Sequence, residues 1–180
     1  IGEQAASRLS EELLKAGLRL ARLKTGTPPR LAAGSVDWSR LERQARTEGQ
    51  LSFTPTPRRL EPLDCHIAYT NPATHELIRT NLHTSAMYSG SIEGTGPRYC
   101  PSIEDKIARF GDRERHQLFL ELEGHHTDRV YLSGLSTSLP ESVQVQVVRS
   151  IVGLERAEIL QWGYAVEYDT IDTTQLDHGL

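Results

Sequence analysis

Only two cysteines, Cys65 and Cys100, occur in 180 residues. They lie far apart and without metal-type spacing, which excludes a disulfide framework and favours a reducing compartment. No apolar run approaches the ~20 residues a membrane helix requires, and no charged-then-apolar leader opens the chain, so no membrane association is expected. Positive charge is not in excess: 20 Lys and Arg against 24 Asp and Glu give a formal −4. No global field therefore draws the chain to nucleic acid, and any RNA contact must be a local patch. Metal-ligand patterns are missing too. His75 and His83 stand eight apart with no third ligand, and His125 and His126 fall in a turn, so no metal site is expected. Nor is there a GxGxxG phosphate loop. Gly90 to Gly96 is rich in glycine but neither follows a clear strand nor opens directly into a helix.

What is present centres on Gly96-Pro97-Arg98-Tyr99-Cys100-Pro101-Ser102-Ile103-Glu104-Asp105-Lys106-Ile107-Ala108-Arg109-Phe110. Pro97 and Pro101 fix the backbone on both sides of Cys100. Ser102 followed by Glu104 and Asp105 reads as a helix N-terminus with acids in its first turn. Cys100 then precedes a helix start, near Arg98 and Lys106, where a thiolate is favoured over that of a free cysteine. Such a thiol is usable as a nucleophile or an acid. The competing reading is a small buried hydrophobe.

Ser7 to Leu20 has helical spacing in its early part, with Ser7 or Ser10 as caps and Gly17 as the stop. Leu18 to Leu23 alternates as a strand, and a helix followed by a strand points to an α/β sheet. Arg22-Leu23-Lys24-Thr25-Gly26-Thr27-Pro28-Pro29-Arg30 then runs from a strand end into a Gly/Pro turn among basic groups. This loop can hold a phosphate by charge and free N–H groups, or be a solvated turn. From Leu31 to about Pro62 the chain is polar and irregular, with Val36 to Leu41 as one short element. Arg40, Arg43, Arg46, Arg58 and Arg59 form a candidate basic face for RNA there.

Asp64 to Tyr69 reads as a strand with Cys65 in the core, ending in an Asn-Pro turn, and Thr74 to Asn81 as a short helix begun by Thr74. His116 to Glu123 and Val130 to Leu132 form a hairpin about Gly124 to Asp128. Glu141 to Ile151 alternates valines like a strand, yet the spacing through Val148 and Ile151 favours a helix ending at Gly153. Ala157 to Leu160 and Tyr164 to Asp169 finish as strands about Gly163. The start at Ile1 and the single methionine, Met87, lead us to expect an internal piece of a longer protein.

GPRYCPSIEDKIARF and RLKTGTPPR, with the later STSLP and GYA.EYD blocks, resemble the GidA/MnmG family of flavin-dependent enzymes that modify the wobble uridine of certain tRNAs. Ala21 stands where the family usually has Gly before the second motif. Leu122 replaces a usual Pro, and Leu160-Gln161-Trp162 replaces an Arg-Pro pairing. The resemblance implies an α/β fold, part of an FAD-binding doubly wound (Rossmann-like) domain with an inserted mixed α/β segment. Residues 1–30 then belong to the FAD-binding domain, 31–95 to the insertion, and 96–180 to the nucleotide motif and the return to the FAD-binding domain. It further implies FAD, NADH and methylenetetrahydrofolate as cofactor and co-substrates, and tRNA and the GTPase MnmE as partners. A homodimer and a cytoplasmic location, mitochondrial in a eukaryote, complete the expectation. The flavin's main phosphate loop is expected before Ile1.

Residue by residue, the resemblance makes Cys100 catalytic and Gly96 to Phe110 the nicotinamide nucleotide segment, with Ser10 as a flavin contact. Arg98 and Lys106 would neutralise phosphate or an oxyanion. Arg22, Lys24 and Arg30 are candidates for flavin pyrophosphate or RNA, and Tyr69, Tyr88 or Tyr99 for stacking on a splayed base. Two other readings remain open: a noncatalytic tRNA-binding or partner-docking module, and a general FAD/NADH oxidoreductase.

Overall fold

The computed structural model describes residues 6–44, 62–92, 94–97, 100–177 and 179. The fold is mixed α/β. Helix α1 (Ser7–Lys15) leads into β1 (Leu20–Gly26), and β2 (Arg30–Ala32) and β3 (Glu42–Arg43) follow. After β4 (Cys65–Tyr69) come α2 (Pro72–Asn81), α3 (Ile103–Arg109), β5 (Gln117–Leu122) and β6 (Arg129–Ser133). Helix α4 (Glu141–Arg149), β7 (Ile159–Gln161) and β8 (Ala165–Ile171) complete the order. β1 pairs with β8 in a two-stranded sheet, and the other six strands form one sheet in the order β3-β4-β5-β6-β2-β7. Every pairing between these strands is antiparallel.

The core lies on one face of the larger sheet. Burial alternates along β5 and β6, with Leu118, Leu120, Val130 and Leu132 fully buried and their neighbours partly exposed, as expected when one sheet face is covered. Ile78 of α2, Ile103 and Ile107 of α3, and Val143, Val147 and Val148 of α4 join the same cluster.

The contested valine segment is a helix. Val143 and Val147 share one side with Gln144 and Val148, which is i, i+4 spacing, while Gln146 stays exposed. Gln144 is 2 % exposed, and all its amide atoms are used: Nε2 donates to the carbonyls of Leu139 (2.7 Å) and Gly163 (2.8 Å), and Oε1 accepts from Gly163 N–H at 2.8 Å. A side chain at Gly163 would put its Cβ 2.6 Å from the Thr27 carbonyl oxygen, so only glycine fits there.

Several expected boundaries move for local reasons. Helix α2 begins after Asn71, not at Thr74: Asn71 Oδ1 accepts from Thr74 N–H at 3.0 Å, and Asn71 N–H donates in return to Thr74 Oγ1 at 3.3 Å. The Asn-Pro pair is thus a cap followed by a first-turn proline rather than a free turn. The N-cap of α1 is Ala6 rather than Ser7 or Ser10; Gly17, at φ +86°, does end it. Val36 to Leu41 holds a single turn of 3-10 helix at Trp38–Arg40. Ser102 caps α3 as expected. Cys65 is half-buried rather than a full core residue. Among the described residues no helix is long and apolar enough to cross a membrane.

Replacing Gln144 with Leu would strand the Gly163 N–H and leave two carbonyls short of a donor. The Gln144→Leu variant is expected to lose about 3 kcal/mol of stability, read as a lower urea midpoint of unfolding.

Candidate functional site

The start of α3 is held from three sides. Ser102 Oγ accepts from Asp105 N–H at 3.1 Å, and Ile103 N–H donates to the Ser136 carbonyl at 2.7 Å. Glu104, fully buried, receives on one oxygen the hydroxyls of Ser85 and Thr137, each at 3.0 Å, and the Ser138 N–H at 2.9 Å. Tyr88 donates to Asp105 at 2.9 Å. Burial, then that bond and the Asp105 charge, push the Tyr88 hydroxyl's titration well above its ordinary value.

Cys100, exposed, sits at the head of this helix with Sγ 3.2 Å from Thr25 Oγ1 of β1. The approach is set by backbone. Thr95 bridges to β1 in parallel, its carbonyl taking Lys24 N–H at 3.0 Å and its N–H reaching Arg22 O at 3.1 Å. A Cβ on Gly94 would fall 2.8 Å from Leu23 backbone atoms, so glycine is required for the chain to lie this close. Lys106 turns inward to donate to Gly134 O at 3.0 Å. Burial lowers its ammonium's titration from the usual value, and the Cys100 sulfur's charge opposes that shift.

The remaining expected site residues divide. Ile103 and Ile107 are core, 0 % and 2 % exposed. Ala108, Arg109 and Phe110 are exposed, and Gly96, Pro97 and Pro101 are half-buried beside Cys100. Arg98 and Tyr99 lie outside the described residues, as do Arg46, Arg58 and Arg59. The three basic residues of the RLKTGTPPR motif all have protein partners. Arg22 pairs with Asp169 at 2.9 Å and Glu167 at 3.6 Å, and Lys24 donates to Met87 O at 3.1 Å. Arg30, in the other sheet, bonds Glu123 at 3.0 Å and Pro28 O at 2.8 Å, and lies over the Tyr131 ring. Ser10 donates to Asp169, whose carboxyl is held below its usual range first by that bond and then by Arg22. Arg40 and Arg43 pair with Glu155 and Asp64, each at 2.8 Å. Tyr69 carries the Arg115 guanidinium 4.2 Å from its ring centroid. A groove of about 430 Å³ runs past Tyr69, Arg40 and Glu114 and does not include Cys100.

Sequence reasoning missed one buried cluster. His75 and His116 face each other at 5.3 Å between ring centroids. Thr70 Oγ1 joins them, bonding His75 Nε2 at 2.7 Å and accepting His116 N–H at 2.8 Å. In sequence His75 stands nearest His83, eight residues on; His116 comes close through the β4–β5 pairing. Among the described residues no group of three His, Cys, Asp or Glu side chains could hold a metal ion.

A family model described as Glucose inhibited division protein A matches residues 1–180. This chain belongs to the GidA family. It is 50% identical over 183 residues to the tRNA uridine 5-carboxymethylaminomethyl modification enzyme MnmG of Nitratiruptor sp., a match covering 99% of this chain and 29% of that protein. The protein of the same name from Clostridium botulinum is 49% identical, over 98% of this chain and 28% of its own length. Among solved structures, Aquifex aeolicus GidA in its form I crystal superposes with a TM-score of 0.79 at 47% identity, covering 93% of this chain and 29% of that one. The chain thus spans under a third of the length of the relatives it matches.

Within this GidA-family chain, the histidine pair gives a pH dependence. Burial lowers the titration of both rings, and for His116 the charges of His75, Lys106 and Arg113 lower it further. The unfolded chain takes protons at an ordinary ~6.5 while the folded one resists them. Stability contributed by the neutral pair is therefore complete above about pH 7.5 and declines as pH falls through ~6.5 toward the depressed folded values. The melting temperature of the full-length protein is expected to fall with acidification in that window, and His116→Leu to fall less steeply than the native protein.

Proposed function

We propose that this chain is the part of a flavin-dependent tRNA-modifying enzyme that supplies the reacting thiol, Cys100. The enzyme adds a carboxymethylaminomethyl-type group to C5 of the wobble uridine. The observation that carries the reading is the position of Cys100: an exposed sulfur, fixed at a helix start and met by a motif from 75 residues away, in a chain about half identical to enzymes named for this modification.

C5 of uracil is a poor nucleophile. Addition of the Cys100 thiolate at C6 forms an Sγ–C6 bond and moves the electron pair toward C5 and the C4 oxygen, so that C5 can attack an electrophilic one-carbon unit. Once C5 has made its new bond and lost its proton, Sγ leaves C6 and the ring double bond returns. The Thr25 hydroxyl stands 3.2 Å from that sulfur and can donate to the anion that such an addition needs.

The helix start does not fit a cofactor pyrophosphate. Its first N–H groups are taken by Ser136 O and Ser102, and two carboxylates stand in its first turn. In the whole protein FAD would supply the redox chemistry, held chiefly by residues outside this chain, with NADH and methylenetetrahydrofolate as co-substrates. tRNA is the substrate, and the GTPase MnmE, a second copy of the protein and a cytoplasmic setting complete the proposal. Residues 1–30 and 96–180 belong in it to the FAD-binding domain and 31–95 to the insertion.

The test is mass spectrometry of wobble uridine in tRNA from cells whose only full-length copy carries Cys100→Ala. An exposed cysteine can be lost at a cost within about 0.5 kcal/mol, so protein level and bound flavin should persist. The modified nucleoside is expected to vanish; if it remains at its normal level, the proposal for Cys100 is wrong. NADH oxidation unaffected by tRNA would favour a general oxidoreductase instead.

A further inference from the structure

The RLKTGTPPR stretch has a use that its charges do not explain. Arg22, Lys24 and Arg30 are each engaged by partners within the chain. An uncharged residue of the stretch, Thr25, meets the other motif, with Oγ1 3.2 Å from Cys100 Sγ. We propose that Thr25 is a positioning residue whose hydroxyl donates a hydrogen bond to the Cys100 thiolate and holds it ready for reaction. This rests on the reading of Cys100 as the reacting thiol.

Both ends of the contact are anchored. Thr25 lies within a seven-residue ladder, opposite Val166 of β8, and its β-branched side chain has little χ1 freedom. The next residue, Gly26, packs so closely that a Cβ there would stand 3.2 Å from Thr137 N. On the thiol side, the Thr95 bridge to β1 precedes Cys100, and the Ser102 cap with the Glu104 clamp follows it. Two fixed elements thus present one hydroxyl to one sulfur. A hydroxyl can donate or accept, and the neighbouring charge decides which. The reacting form of Cys100 is the thiolate, which has no proton to give and can only accept. The hydroxyl must then donate.

The proposal makes a specific kinetic claim. One charge-assisted hydrogen bond favours the thiolate about tenfold. Losing it lowers the thiolate fraction at neutral pH but raises the nucleophilicity of each thiolate, with a Brønsted coefficient of about 0.4–0.5. In the full-length protein, alkylation of Cys100 by iodoacetamide is followed by peptide mass spectrometry from about pH 6 to pH 11, spanning an ordinary cysteine's range. Thr25→Val should react about threefold more slowly than native at neutral pH and about threefold faster at the alkaline end, so the two profiles cross. Thr25→Ser, which keeps the hydroxyl, should follow the native curve and restore the tRNA turnover lost in Thr25→Val. Thr25→Ala provides the same test should the valine variant not accumulate.

A valine or alanine profile that superimposes on native, or is displaced by the same factor at every pH, overturns the role of Thr25, because altered packing changes access without producing a crossing. The Cys100→Ala result is separate. Modification lost in Cys100→Ala together with profiles that do not cross refutes Thr25 alone; modification surviving in Cys100→Ala refutes the reacting thiol and, with it, any part for Thr25 in the reaction.

Discussion

A carboxylate taken fully out of water needs hydrogen-bond donors, and Glu104 draws its three from two separate segments, through Ser85, Thr137 and Ser138. All three converge on one oxygen; the other has no hydrogen-bond partner among the described residues. That concentration makes the carboxylate a fixed point rather than a general solvation site. The loop before α3, the turn after β6 and α3 itself cannot shift independently without stranding a buried charge. Cys100, four residues earlier, inherits its place from this constraint.

Thr137 extends the same network to the other sheet. Its hydroxyl serves Glu104 while its N–H donates to Thr27 O at 3.2 Å. Thr27 in turn takes Tyr164 N–H on its own hydroxyl and donates its N–H to Tyr164 O at 2.8 Å. Gly163 lies against Thr27 on one side and is held by the Gln144 amide on the other. A continuous path therefore runs from α4 through the β7–β8 turn to the end of β1, then through Thr137 to the start of α3. Thr25 lies two residues before Thr27 on that path, and Cys100 four residues before Glu104 at its α3 end. Their separation is set by the path, not by the contact itself, which is a single hydrogen bond on an exposed sulfur.

The parts of this arrangement that were legible in sequence are those governed by local rules. Ser102 followed by two acids announced a cap, Gly17 a helix stop, and the Gly124 to Asp128 turn a hairpin. Valines at 143 and 147 resolved as a helix because Val148 and Ile151 continued the stripe. The misread pieces turn on partners distant in the chain or on rival local caps. Glu104 looked like an acid placed for the helix dipole, since nothing nearby reveals that Ser85 and Thr137 will enclose it. Arg22, Lys24 and Arg30 looked free because Asp169, Met87 and Glu123 lie 63 to 147 residues away. Asn71 and Thr74 both have cap chemistry, and which one begins α2 depended on the proline between them.

The conspicuous motif therefore carries two demands at once. Ile103 and Ile107 are core residues, Glu104 is an anchor, and Ser102 is a cap; these four would be required of any chain that packs α3 on this sheet. Subtracting them from the stretch leaves Cys100 as the described member whose side chain is exposed and meets the RLKTGTPPR motif. A purely structural cysteine at that position would gain nothing from exposure, because its favourable contribution is burial. The residue type and its environment are mismatched for stability, and such mismatches are expected where chemistry, rather than packing, has selected the side chain.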